Sequence, residues 1–228
     1  MNRTWNVVRM QLINKQTYVW VPLIVLAGSF LLTLVIWSMV PAEGQKYSGG
    51  AQAVYWYFGV VGVQSLTLTF PFSQAMSVTR REYFFGTTLT AALFSALLAT
   101  LYVGGAFLER ATGGWGLQGW YFSVDWIWDA GPAAAWLLYF AVPMVFFMIG
   151  FGSATIYKRF GSVWLTVVLV SIGLALVGSG WLIGRLDGWR AVGEWIGTQG
   201  TAGIAAWTLL VALVIAAFSF APLRRATP

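Results

Sequence analysis

About six stretches of the chain run close to twenty residues on almost nothing but apolar side chains, each bracketed by charged residues, glycine or proline. A hydrocarbon layer of about 30 Å is crossed by roughly 20 helical residues at 1.5 Å each. In lipid, backbone N–H and C=O groups must find partners inside a helix or a closed barrel, and these runs lack the two-residue alternation of barrel strands. The expected fold is therefore an all-α integral membrane protein: a single transmembrane domain over 1–228, with spans at about 18–40, 54–78, 86–108, 134–156, 162–184 and 204–221. With 59% hydrophobic and 9% charged residues, the chain lies far from the roughly 25% charged of soluble domains.

The segments between the runs set the topology. Residues 1–17 carry Arg3, Arg9 and Lys15, with Trp5, Val8 and Leu12 spaced along one helical face; this reads as an interfacial helix on the cytosolic surface, the alternative being an unstructured basic leader. Arg3, Arg9, Lys15, Arg80, Arg81, Lys158, Arg159, Arg224 and Arg225 fall on one side, against Lys46, Arg110, Arg185 and Arg190 on the other. Lysine and arginine mark the cytosolic side, which places both termini in the cytosol and the chain in the cell membrane. Of the acids, Glu82 falls inside, while Glu43, Glu109, Asp125, Asp129, Asp187 and Glu194 fall outside. The loop from Glu109 to Ala133 holds Trp115, Trp120, Trp126 and Trp128 and is expected to rest on the outer membrane surface. Residues 185–203, rich in glycine, read as a re-entrant or surface-lying segment before the last span.

Chemistry is narrowed by what the chain lacks. It has no cysteine and no histidine, which removes thiol nucleophiles, imidazole bases and the usual zinc ligands. No charged residue falls deep in a proposed span, which argues against an ion-coupled pump. The net charge of +6 sits in pairs at the ends of apolar runs, a pattern of topological anchoring rather than of nucleic-acid binding. Neither catalysis nor a cofactor held by this chain is expected. Asp125 and Asp129 read as solvated loop acids.

Ser77, Val78, Thr79, Arg80, Arg81, Glu82, Tyr83 and Phe84 form a compact basic and aromatic turn at the cytosolic face. Two arginines beside two rigid rings suit the docking of an acidic soluble partner; they suit equally a loop held inside by charge with its aromatics in an interfacial belt. This turn through Gly86, the apolar run after it and Glu109-Arg110-Ala111-Thr112-Gly113-Gly114-Trp115-Gly116 resemble the permease subunits of type 2 ABC transporters. The resemblance implies that the turn is a coupling helix. It also implies an exporter that moves substrate by alternating access, paired with a second permease copy or a related permease and with separate cytosolic ATPase subunits that bind ATP and magnesium. The chain has no G-x-x-x-x-G-K-[ST] phosphate loop of its own. The competing reading is a membrane scaffold or sensor that recruits a cytosolic protein without moving a solute.

Gln64, Thr67, Pro71 and Gln74 share one sector of an uninterrupted helix and are a candidate translocation surface, or ordinary interhelical hydrogen-bonding groups. Pro71 and Pro143 are expected to bend their helices. Gly180 and Gly184 have the spacing of a close helix contact and are candidates for permease dimer packing. The lack of native cysteine makes topology directly measurable. Ser77→Cys should react in intact cells only with membrane-permeant maleimides, and Arg190→Cys with impermeant ones; the reverse pattern would invert the orientation.

Overall fold

Apolar runs become helices, and prolines, glycines and capping side chains decide where each one breaks. In a computed structural model, residues 3–41 and 44–223 are described. Glu43, Arg224 and Arg225, counted above among the charges, lie outside the described residues. Helix α1 (Arg3–Ile13) leads through a wide turn at Gln16–Trp20 into α2 (Val21–Met39). A short strand β1 (Lys46–Tyr47) and a tight turn at Gly50–Gln52 precede α3 (Ala53–Gln64), which passes through a second wide turn at Ser65–Thr69 into α4 (Phe70–Ala75). Then come α5 (Arg80–Ala111), β2 (Gly119–Trp120), α6 (Asp125–Trp128), α7 (Pro132–Phe160), α8 (Ser162–Arg185) and α9 (Trp189–Leu223). β1 and β2 pair in parallel, Lys46 opposite Gly119 and Tyr47 opposite Trp120.

Six helical stretches are long and apolar enough to cross a membrane: Gln16–Met39, Gly50–Ala75, Arg80–Ala111, Pro132–Phe160, Ser162–Arg185 and Trp189–Ala221. The chain is thus an all-α protein of multi-pass membrane character. The two wide turns have one cause. Val21 and Phe70 donate five residues back, to the Gln16 and Ser65 carbonyls, immediately ahead of Pro22 and Pro71. A proline inside a helix lacks a donor and collides with the turn before it; widening that turn relieves the collision. The expected bend at Pro71 is therefore a π-type turn just before it, whereas α7 runs unbroken through Pro143.

Helix α7 is the hub, packing against α3, α5 and α9, with 56% of its most apolar window buried. Its contact with α3 is backbone on backbone. A methyl at Gly150 would overlap the Gly59 carbonyl, and one at Gly62 would overlap the Phe147 carbonyl. Aromatic rings fill the space above and below this crossing, among them Tyr55, Tyr102, Phe147 and Phe151. Helix α8 is the opposite case, with no residue buried.

Three placements differ from those read in the sequence. Helix α1 turns Val7, Val8 and Gln11 inward against the start of α5, where Gly86 leaves room for Val7, while Trp5 faces out. The helix that contains the third apolar run begins at Arg80, six residues before the run read in the sequence. After α8 a turn at Leu186–Gly188 leads directly into α9, whose outer segment is helical and bends at Gly200 (φ +60°, ψ 179°).

Helices α1, the start of α5 and the C-terminal ends of α7 and α9 meet at one end of the bundle, with Phe84 against Phe151 and Phe220. Arg9, Lys15, Arg80, Arg81, Lys158 and Arg159 belong to this end by chain order. If the glycine crossing governs stability, Gly150→Ala should lower it by about 1–3 kcal/mol, as overpacking does. Gly173→Ala, where a methyl meets nothing within 4 Å, should leave it unchanged. Thermal unfolding in detergent distinguishes them, and equal melting of the two variants would remove the crossing from its central place.

Candidate functional site

The turn between the second and third spans is built from two opposed helix caps. Helix α4 ends with Ser77 in the left-handed region (φ +57°), donating its N–H to the Gln74 carbonyl at 3.0 Å, while Val78 donates to the Ser73 carbonyl at 3.1 Å. Glycine normally occupies this position; serine accepts a strain of about 1–2 kcal/mol. Thr79 then caps α5: its hydroxyl accepts the Glu82 N–H at 3.2 Å, and the Glu82 carboxylate accepts the Thr79 N–H at 3.0 Å. Arg80 and Arg81 are consequently the first two residues of a 32-residue helix, not part of a separate short helix.

Arg81 is exposed, with its guanidinium 5.7 Å from the Phe85 ring, and Arg80 is half-buried. Tyr83 and Phe84, expected as outward anchors for a partner, point inward instead: Tyr83 is fully buried and Phe84 is 8% exposed. The exposed apolar side chains near the turn are Phe72, Met76 and Phe85.

Burial gives Tyr83 a different task. Its hydroxyl meets the Thr69 hydroxyl at 2.7 Å and the Ser65 carbonyl, to which Thr69 also donates. That carbonyl already takes the Phe70 N–H across the wide turn. One ring therefore fastens the first turn of α5 to the break in the second span. Beside it, Gln11 Nε2 donates to Thr87 Oγ1 at 2.8 Å and fastens α1 to α5.

The four groups of the candidate translocation surface do not share a face. Each π-type turn adds a residue to the helix and rotates the residues beyond it by about 100°. The turn lies between Gln64 and Pro71, so Gln64 leaves the sector of Pro71 and Gln74. Gln74 Nε2 donates to the Val78 carbonyl at 3.1 Å, within the turn, and the Thr67 hydroxyl donates to the Val63 carbonyl at 3.1 Å. Gly180 and Gly184 lie on exposed α8, and the nearest side chain to both is Trp189 of the same hairpin.

At the opposite end of α5 lies a feature that the sequence alone places on the surface. Glu109 is fully buried. Its Oε2 accepts Trp115 Nε1 and the Tyr121 N–H, both at 2.8 Å; Oε1 accepts the Ser123 N–H at 2.7 Å; the Phe122 N–H is 3.1 Å from both oxygens. An acid at a helix C-terminus opposes the helix dipole, and this nest of successive amides offsets the cost. Arg110 next to it donates from Nε to the Ser123 hydroxyl at 2.7 Å and lies 4.3 Å from the Trp128 ring. The pair ties the loop after α5 down as a cap at this end of the bundle. Of the loop tryptophans, Trp126 is 52% exposed and Trp128 turns inward at 6%, so the segment does not rest on lipid by all four rings.

The cap closes on the rest of this end of the bundle. Gly119 lies flat on Trp37, where any side chain would collide, and Lys46 Nζ donates to the Trp37 and Val40 carbonyls at 2.8 and 2.7 Å, ending α2. Exposed Tyr47 donates to Asp125 at 2.7 Å, which holds its phenol above the ordinary range because ionising it would break that bond beside a carboxylate. Beside the cap is a half-open chamber of about 600 Å³ between α3, α5, α7 and α9. A second, of about 470 Å³, lies past Trp126 and Ile204 beside the Gly200 bend.

No protein-family model, curated protein or solved structure matches the chain. The class the fold defines is that of multi-pass, all-α membrane proteins. The role of Glu109 at the outer end is open to direct test. In Glu109→Gln an amide NH₂ faces a nest of donors, and stability should drop by at least about 3 kcal/mol, with faster proteolysis between Gly113 and Ser123. Unchanged melting and cleavage would show that the carboxylate does not organise the cap.

Proposed function

We propose that this chain is the membrane-embedded permease subunit of an ATP-driven exporter of the type 2 ABC class. Two separate cytosolic ATPase subunits bind ATP and magnesium, and a second copy or related permease completes the pathway. The single observation carrying this reading is that the capped Ser77–Glu82 turn is continuous with a helix reaching the outer cap. Force applied at Arg80 and Arg81 enters α5, about 48 Å long at 1.5 Å per residue, whose far end holds Glu109 and Arg110. Tyr83 passes the same displacement to the second span, and Gln11 passes it to α1.

Under this reading the ATPases close on ATP, the turn moves with them, and the spans shift between two arrangements. The arginines supply charge to an acidic groove; Phe72, Met76 and Phe85 supply its apolar contact, in place of the inward Tyr83 and Phe84. The candidate pathway residues Gln64, Thr67, Pro71 and Gln74 act in this scheme by shaping the break in the second span.

Co-expression with any ATPase found encoded beside its gene, followed by purification, tests the proposal. Arg80→Glu with Arg81→Glu should weaken association by about tenfold or more, as like-charge contacts do, and abolish coupled ATP hydrolysis without changing permease yield. Unaltered assembly and hydrolysis would count against docking at this turn. Assembly without any ATP-dependent flux would favour the scaffold or sensor reading.

A further inference from the structure

The outer chamber is a pocket of definite chemistry, and its character does not depend on the transporter reading. It is bounded by three faces of the bundle hub, by α9 just beyond the Gly200 bend, and by both outer loops. None of its eighteen lining residues is charged, and eight are tyrosine, phenylalanine or tryptophan. In a chain whose outer loops carry several acids and bases, a charge-free wall this large narrows the ligand. An anion entering it would shed water, meet no counter-charge and face the negative ring faces of the aromatic wall.

The hydroxyls on the wall are largely committed already. Tyr102 donates to the Ala51 carbonyl at 2.5 Å, Tyr139 to the Phe122 carbonyl, and Thr208 to the Ile204 carbonyl at 2.8 Å; Tyr121 is bonded to Ser29 Oγ at 2.7 Å. What these residues present inward is therefore ring faces and edges rather than donors. The exposed amide of Gln52 is a polar group left at the edge. Volume and lining match sites that hold drug-sized molecules, and apolar cavities take up apolar solutes rather than water.

We propose that this chamber binds a predominantly apolar small molecule with a ring-rich body and no negative charge. Stacking and edge contacts with the aromatic wall hold it, and the Glu109-anchored cap borders it. Trp126 and Ile204 separate it from the second chamber; Thr201 Oγ1 holds the Trp126 carbonyl at 2.7 Å, so the Gly200 bend fixes that partition.

Photolabelling of the purified full chain in lipid nanodiscs tests this without any ATPase. The probes are benzophenone, which is neutral, and 4-benzoylbenzoate, its anionic counterpart, with adducts mapped by peptide mass spectrometry. Lipid-exposed α8 reports labelling from the bilayer. Relative to α8, benzophenone adducts on the peptides of Tyr55, Tyr102 and Tyr139 should saturate with dose, and the anionic probe should label them about tenfold less. Val142→Trp and Thr208→Trp, which fill the chamber from α7 and from α9, should each remove most of the saturable label. Chamber adducts that rise linearly in step with α8, as for a cavity filled by lipid chains, would overturn the proposal. So would equal labelling by the anionic probe, or full labelling of correctly folded filled variants. Should neither variant fold, saturation and the charge comparison on the unaltered chain decide the matter.

Discussion

In hydrocarbon, a backbone amide or carbonyl without a partner costs several kcal/mol, and this cost governs every place where the helices of this chain break. Proline forces two of the breaks, and the chain answers with wide turns whose carbonyls find new donors. At Ser65 one carbonyl takes the Phe70 N–H, the Thr69 hydroxyl and the Tyr83 hydroxyl. At the end of α2 the exposed carbonyls of Trp37 and Val40 are met by Lys46. At the end of α5 the excess is of donors rather than acceptors, and Glu109 takes them up. Satisfying the backbone therefore places polar clusters at the helix ends, around Thr79–Glu82 and around Glu109, and both candidate sites lie there.

Length and order of the spans were legible because run length is set by bilayer thickness, and that constraint acts on sequence directly. The facing of side chains was not. In a soluble protein an apolar residue is an inward one, but lipid is as apolar as a protein core, so Tyr83, Phe84 and Trp128 carry no mark that separates inward from outward. The same ambiguity reversed the glycines. Gly180 and Gly184 have a packing motif's spacing and lie on an exposed helix, whereas Gly59, Gly62 and Gly150 make the tight crossing from two distant segments whose juxtaposition no local pattern encodes. Glu109 was read only as an outside acid; the signal that goes with its burial is an acid at the end of a long apolar run with two glycines soon after it.

The aromatic chamber lay outside the reach of sequence for a related reason. Its lining comes from four helices and two loops, and each contributing ring, taken alone, is indistinguishable from one that fills a core or meets the headgroups. Only the arrangement of the cap, held by Glu109, Arg110 and the short β1–β2 pairing, leaves space between them. The absence of charge from that space is the informative property, since three charged residues of the loops at this end are turned to other uses: Lys46 to a helix end, Arg110 to Trp128, Asp125 to Tyr47.

Helices that transmit and helices that yield are distinguishable by their hydrogen-bond ladders. Helix α5 is unbroken from its Thr79–Glu82 cap to Ala111, and α7 is continuous and locked to α3 through glycine, so both behave as rods. The second span carries a π-type turn, and α9 bends at Gly200, so both have a place where rotation disturbs few bonds. A displacement at the Ser77–Glu82 turn would then pass along α5 with little loss and be taken up at Ser65–Thr69 and at Gly200. The first of these is fastened to α5 by Tyr83 and the second borders the smaller chamber that adjoins the aromatic one. The molecule thus pairs each rigid element with a compliant one at the end where work would be done, which is the mechanical requirement for changing the shape of one end by acting on the other.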